Sequence, residues 1–274
     1  MFSSWHPGIE SGGANFHRRV SVDDWKLKPA ADLGLPAHER WRSLKRESGL
    51  VENLLRLGWW IFVRTFLTCW NRLEVKGRER LPAEPRFVMI ANHESHLDAL
   101  VLASALSLQW RDHVSPIAAG DVFFKHKPVA AFSATLINAL PIWRRKPNVG
   151  AHSMQTLRQR LLDGFSIYIL FPEGTRSRDG NMLPFKSGLG ALVAGTSVPI
   201  VPCHLEGTFE AAPPDTRFPR CRKIVLEIGH PMTFEATGNN REGWEQIAAR
   251  VEQAVHQLAG SGARPEQDPA QRAM

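Results

Sequence analysis

Residues 87–108 read FVMIANHESHLDALVLASALSL. The opening run, Phe87 to Ile90, is short and continuously apolar, the pattern of a strand buried on both faces. Residues 99–108 form a second apolar run of helical length. Between the two, Ala91-Asn92-His93-Glu94-Ser95-His96-Leu97-Asp98 sets a histidine and an aspartate at a strand-to-helix junction. Loops held by rigid elements often carry catalytic groups. A neutral imidazole can take a proton at about neutral pH, and a carboxylate can fix its tautomer and orientation. Five positions is not a same-face helical spacing, so the pair works only with His93 in the loop and Asp98 in the first helical turn. A structural reading competes. Ser95-x-x-Asp98 ahead of an apolar run resembles a capping box, so Asp98 reads as structural, catalytic or both. His93 and His96 lack a third ligand, which makes a metal site weak and none is expected.

Outward from this junction, residues 73–75, 114–119, 166–171, 199–204 and 223–228 read as strands. Residues 128–139, 151–162, 186–194 and 244–258 read as helices, with Gly164 stopping the second. The alternation predicts an α/β fold: a mixed, mainly parallel central sheet flanked by helices. This domain spans 72–259. Residues 1–48 read as an irregular arm with a short helix at 37–47, and 260–274 as a disordered Gly/Ala/Pro/Gln-rich tail.

Residues 50–70, LVENLLRLGWWIFVRTFLTCW, have the length of a membrane span, but Glu52, Arg56 and Arg64 lie inside it. On a helical wheel Glu52, Asn53, Arg56, Arg64 and Thr68 share one side. Leu54, Leu55, Trp59, Phe62, Val63, Phe66 and Trp70 cover much of the rest. The expectation for 49–71 is an amphipathic helix lying in a membrane interface. The alternative is a buried helix of the core.

The 274 residues carry a formal charge of +7, with 43% hydrophobic and 22% charged residues. That permits a substantial core and favours anionic partners such as lipid headgroups or a phosphorylated substrate. Nine tryptophans against one tyrosine fit both a core and a membrane interface. No aromatic–basic interleaving or recognition motif supports nucleic acid as the partner. Cys69, Cys203 and Cys221 are widely spaced and odd in number, which fits a reducing compartment rather than disulfides or zinc. Residues 1–13 are polar and Gly-rich, without the apolar segment of a secretory signal.

Three further stretches bear on chemistry. Phe171-Pro172-Glu173-Gly174-Thr175-Arg176-Ser177 follows a strand and puts Glu173 and Arg176 on a turn. There an arginine fork can hold phosphate and a carboxylate can accept from a hydroxyl, or the two can form a surface ion pair. Arg144-Arg145-Lys146 makes an anion contact or a solvated loop. Val198-Pro199-Ile200-Val201-Pro202 reads as wall, and Lys186 lies between it and the turn.

These stretches, in this order, resemble the glycerolipid acyltransferase family. The first matches its Asn-His-x4-Asp motif and the second its Phe-Pro-Glu-Gly-Thr-Arg-Ser motif. The Arg144 and Val-Pro-Ile-Val-Pro segments are similar to two more. The resemblance implies transfer of a fatty acyl group from acyl-CoA or acyl carrier protein to the hydroxyl of a lysophospholipid, typically 1-acyl-sn-glycerol 3-phosphate. His93 is then the general base and Asp98 its orienting partner. Arg144, Glu173, Gly174, Thr175, Arg176 and Lys186 bind the acceptor, and no metal or redox cofactor is needed. The family also implies attachment to the cytoplasmic face of a membrane, peripheral or monotopic. One departure stands out: Ala119 occupies the place where phosphate-binding members carry a lysine, with Lys125 or Lys127 as possible substitutes. This leaves another lysolipid, a lipoamino acid or a glycolipid open as acceptor. A non-catalytic lipid-binding protein on the same fold is the remaining alternative.

Overall fold

Five of the six strand pairings are parallel, the arrangement that short apolar strands separated by helices require. The computed structural model describes residues 32–143, 147–213, 216 and 218–262. Its elements begin with α1 (Ala37–Arg40), α2 (Leu50–Cys69), β1 (Glu74–Lys76), β2 (Phe87–Ile90) and α3 (Asp98–Ala105). Then come β3 (Val114–Ala119), α4 (Gly120–Phe123), α5 (Lys127–Thr135), β4 (Leu140–Ile142), α6 (Pro147–Asp163) and β5 (Ile167–Leu170). The chain continues through α7 (Gly190–Val193), β6 (Ile200–Glu206), α8 (Thr208–Ala211), β7 (Val225–Ile228) and α9 (Arg241–Gly262). The sheet order is β1-β7-β6-β2-β5-β3-β4, with β6–β7 the antiparallel pair.

The sheet is covered on both faces, and β2 shows how. Its four residues are all buried. Side chains alternate across a strand, so Phe87 and Met89 join one core with Leu67, Val101 and Leu102 of α2 and α3. Val88 and Ile90 join the other, with Leu157, Leu161, Val193, Ile247 and Val251 of α6, α7 and α9. The in-register pairing of Ile90 with Leu170 brings the carboxyl ends of β2 and β5 side by side. The loops that leave them, 91–97 and 171–177, therefore meet at the edge where open α/β sheets bind ligands.

Several expected elements differ in extent. The expected helix at 37–47 shrinks to α1, and residues 41–48 run irregularly over the domain. The expected helix at 128–139 stops at Thr135, because Asn138 takes a left-handed φ of 59°. The unforeseen edge strand β4 follows directly. The region 186–194 divides into a 3-10 turn, Ser187–Leu189, and α7. Helix α9 runs through the start of the expected tail, whose residues 263–274 lie outside those described, as do residues 1–31 of the arm.

Helix α2 has one side in the core and an apolar side left exposed. Trp60, Val63 and Leu67 are core, and of the polar side Arg56 is buried with them, Glu52, Asn53 and Arg64 are half-buried and Thr68 is exposed. The side chain of Arg56 is buried. It donates to Thr135 O (3.2 Å) and Ser48 Oγ (2.9 Å) and pairs with Asp112 Oδ1 (3.5 Å). Leu54, Leu55, Ile61 and Phe62 instead face outward at 51–60% exposure. Among the described residues, no helix is long and apolar enough to cross a membrane. A helix that is part of the core is costly to erode. Leu67, fully buried, should cost about 2–5 kcal/mol when changed to alanine. Denaturant unfolding of Leu67→Ala measures this, and a loss under about 1 kcal/mol would mean that α2 is an accessory element.

Candidate active site

Asp98 opens α3 and is fully buried. Its Oδ2 accepts from the backbone N–H of Glu94 (2.7 Å) and Ser95 (2.8 Å) and lies 2.8 Å from His93 Nδ1. Half of the expected capping box thus forms: the carboxylate reaches back to the Ser95 N–H. The Ser95 hydroxyl instead donates to Ala212 O (2.9 Å) and accepts from Leu97 N (3.2 Å). Asp98 is at once cap and imidazole partner. The carboxylate keeps the imidazole proton on Nδ1, which leaves Nε2 with its lone pair. The His93 ring stacks on Phe171, with centroids 4.1 Å apart and planes at 14°.

The second loop holds the first from below. Glu173 Oε1 accepts from His93 N (2.8 Å) and its Oε2 from Leu183 N (3.2 Å). Ser177 N donates to His93 O (2.8 Å). Glu173 was expected at the acceptor, but it is buried with both oxygens committed to backbone, so its place is beneath the site. Asn92, also buried, exchanges bonds with the backbone of Leu205 in β6 and donates to Glu94 Oε1 (2.8 Å). Burial raises the carboxyls of Glu94 and Glu173 to about 7. Hydrogen bonds pull each back, and nearby carboxylates add to the rise.

His93 lines a cavity of about 410 Å³, within the usual range for small-molecule sites. Arg176, Lys186, Thr175 and Gly174 line it too, so four of the expected binding residues are gathered around the imidazole. Arg176 Nη1 is buried and finds no hydrogen-bond partner among the described residues. Gly174 is left-handed (φ 73°), and a Cβ there would lie 2.6 Å from Lys186 Nζ, so glycine makes room for that ammonium. Arg144 lies outside the described residues. Ala119 lines the cavity while Lys125 and Lys127 do not; among the described residues Lys186 is the lysine that does. The rest of the wall is mainly apolar, including Ile117, Val122, Ile137, Ile142 and Leu170. Among the described residues, no group of three His, Cys, Asp or Glu side chains is placed to hold a metal. Asn92 and Phe171 were not singled out from sequence. Asn92 stood in the quoted motif and was the available signal, whereas only the fold shows the Phe171 stack.

Fold and site together define an α/β protein with a His–carboxylate pair and two cavity-lining cations, Arg176 and Lys186, at the carboxyl end of its parallel strands. The sequence model of the family described as Acyltransferase matches residues 72–206. The 1-acyl-sn-glycerol-3-phosphate acyltransferase BAT2 of Brassica napus is 32% identical over 143 residues, 52% of this chain and 39% of that protein. The sheep (Ovis aries) 1-acyl-sn-glycerol-3-phosphate acyltransferase alpha is 34% identical over 131 residues, 48% of this chain and 44% of that one. The chain thus spans under half the length of these curated relatives. The crystal structure of the 1-acyl-sn-glycerophosphate acyltransferase PlsC from Thermotoga maritima shares the fold. Its TM-score is 0.59 at 23% identity, covering 79% of this chain and 82% of that one. Residues 72–206, which hold both loops of the site, are thus similar to the Acyltransferase family.

The raised Glu94 carboxyl sets a pH dependence. Its folded value of about 7 exceeds the ordinary 4.5, so its contribution to stability is full below about 4.5 and lost as pH rises through about 7. Glu94→Gln should therefore stabilise the fold by about 1–3 kcal/mol at about pH 8.5 and by almost nothing at about pH 4. Thermal unfolding at both pH values reads the difference; an equal offset at both would contradict the buried-charge account.

Proposed function

We propose that the protein transfers a fatty acyl group from an acyl thioester to the free hydroxyl of a lysophospholipid, with 1-acyl-sn-glycerol 3-phosphate as the favoured acceptor. The observation that carries this reading is the 2.8 Å His93–Asp98 pair on the wall of a mainly apolar cavity that also presents Arg176 and Lys186. An apolar chain, a hydroxyl and an anionic headgroup each find a complement there. The names of the relatives support the acceptor.

In this mechanism His93 Nε2 takes the proton of the acceptor hydroxyl as its oxygen attacks the thioester carbonyl carbon. Asp98 holds Nδ1 and stabilises the imidazolium. The tetrahedral oxyanion collapses, the carbon–sulfur bond breaks, and the thiolate leaves with the proton returned by His93. The thioester already supplies an activated carbonyl, so the step needs neither a metal nor a redox cofactor. Arg176 and Lys186 hold the phosphate, with Gly174 and Thr175 shaping the turn and Arg144 as a further cation. Glu173 and Asn92 position the loops. The donor is acyl-CoA or acyl carrier protein. Residues 72–259 form the acyltransferase domain, and the exposed apolar side of α2 sits in the cytoplasmic face of a membrane, delivering the lipid to the cavity.

His93→Ala should lower kcat by about 10²–10⁴-fold with the fold intact by circular dichroism. Wild-type release of free thiol from acyl-CoA by that variant would sink the mechanism. Comparing lysophosphatidate with lysolipids that lack a phosphomonoester tests the acceptor; equal kcat/KM would favour the alternative that Ala119 leaves open. Charging the outward side of α2, by Leu54→Glu with Phe62→Glu, should release the protein from sedimenting anionic vesicles. Both positions are exposed, so stability should stay within about 0.5 kcal/mol per substitution. Undiminished sedimentation would place the membrane contact elsewhere.

A further inference from the structure

The arm that precedes α2 is not a loose extension where it is described. Between residues 41 and 46 it makes a series of tertiary bonds, each to a segment that walls the cavity or adjoins that wall. Trp41 packs on a small core formed by Phe124, Ala130, Ala134 and Ala139. Arg42 donates to Phe124 O (3.1 Å) and Lys125 O (3.4 Å), at the end of the turn that places Phe123 on the cavity. Leu44 packs against the same core as the cavity-lining Ile142 and Met154, and its carbonyl accepts from Arg160 of α6. Arg46 Nη2 donates to Asn138 Oδ1 (3.1 Å) and Ala139 O (2.8 Å), and its Nη1 to Trp41 O (3.2 Å).

The Arg46 contact falls at a sensitive point. Asn138 is the left-handed residue that ends α5, and its amide nitrogen donates to Val114 O (2.9 Å) and Ser115 Oγ (3.1 Å) at the start of β3. Its flanking residues Ile137 and Ala139 both line the cavity. The cavity runs across consecutive strands, from His93 after β2, past Leu170 of β5 and Ile117 of β3, to Ile142 of edge strand β4. That is three strand-to-strand steps, about 14 Å. Among the described residues, the cavity's cations Arg176 and Lys186 lie at the β2–β5 end, and the wall at the β4 end is mainly apolar. Arg46 therefore braces the end of the cavity farthest from the imidazole, through the backbone and side chain of the two residues that turn the chain there.

We propose that residues 41–46 are a strap that sets the depth of the cavity, with Arg46 as a positioning residue that determines the length of acyl chain accepted. This rests on the acyl-transfer reading, which assigns the apolar end to the chain. Arg46 touches neither substrate nor imidazole and acts through Asn138 and Ala139. Without its fork the end wall loses its brace and yields outward, so longer chains gain contact area.

The test uses the full chain and two readouts. The first is kcat/KM for stearoyl-CoA against lauroyl-CoA with lysophosphatidate as acceptor. The second is calorimetric Kd for the unreactive S-stearyl and S-lauryl CoA thioethers. Arg46→Met should shift both ratios toward the longer chain by at least about fourfold, the worth of one methylene of burial. Arg46→Lys, which reaches one acceptor rather than two, should give a smaller shift in the same direction and carries the test where the methionine variant does not fold. Trp41→Leu should shift the ratios likewise without removing a hydrogen-bond donor that Asn138 uses. Unchanged Kd ratios in the folded variants overturn the inference, even where turnover falls, since that is what a purely structural brace would do. A shifted Kd ratio in a protein that transfers no acyl group leaves the strap standing and removes the acyl-transfer reading instead. Failure of the wild type to bind either thioether removes both.

Discussion

One buried oxygen organises the site. Asp98 Oδ2 meets the His93 imidazole and two backbone N–H groups within 2.8 Å. An ionised carboxylate at full burial is costly unless hydrogen bonds replace its lost water. Here three of them converge on Oδ2, while Oδ1 is buried without a hydrogen-bond partner among the described residues, and the position at the start of α3 adds the favourable end of the helix dipole. The same three bonds curl residues 93–95 back over the helix start, which aims the imidazole at the cavity. The placement of the imidazole and the geometry of the helix start are a single arrangement.

That loop is also pinned from two neighbouring strands. Glu173, leaving β5, takes the His93 N–H, and Asn92 exchanges bonds with Leu205 of β6. Buried polar side chains thus tie the loop after central strand β2 to both neighbours, Glu173 reaching in from the β5 side and Asn92 reaching out to the β6 backbone. Such networks are stable only when satisfied, and satisfied ones hold a single geometry. Two carboxyls raised to about 7 are the electrostatic cost of that rigidity. Acid–base chemistry gains from it, because proton transfer depends on a placement good to a fraction of an ångström.

Helix α2 and the arm before it solve a different problem. A helix with an apolar majority and a buried arginine would be unstable as a free surface element. Its arginine is satisfied inward by Thr135 O, Ser48 and Asp112, so a mainly apolar strip remains outside. That strip stays exposed, while the helix remains an integral part of the fold through Trp60, Val63 and Leu67.

The sequence alone determined the α/β class and the strand carrying the base, because a buried parallel strand is a local apolar run and α/β alternation is periodic. It offered the His93–Asp98 pairing beside a capping-box reading of Asp98, and the structure shows that one carboxylate oxygen makes both contacts. Family resemblance supplied their roles and the residues grouped with Arg176. What lay beyond it were facts of three-dimensional proximity. The inward turn of Glu173 depends on two loops meeting at the ends of β2 and β5, and nothing in Phe-Pro-Glu-Gly-Thr-Arg-Ser distinguishes an oxygen facing a ligand from one facing a backbone amide. The edge strand β4 was hidden because three residues carry too little pattern against a helical run that ends at a left-handed asparagine. The arm looked irregular because its order comes from arginine donors meeting carbonyls some 80 to 115 positions away, contacts that no local periodicity records. Local pattern determined the elements; long-range hydrogen bonding, decided only by the tertiary structure, shaped the site and its walls.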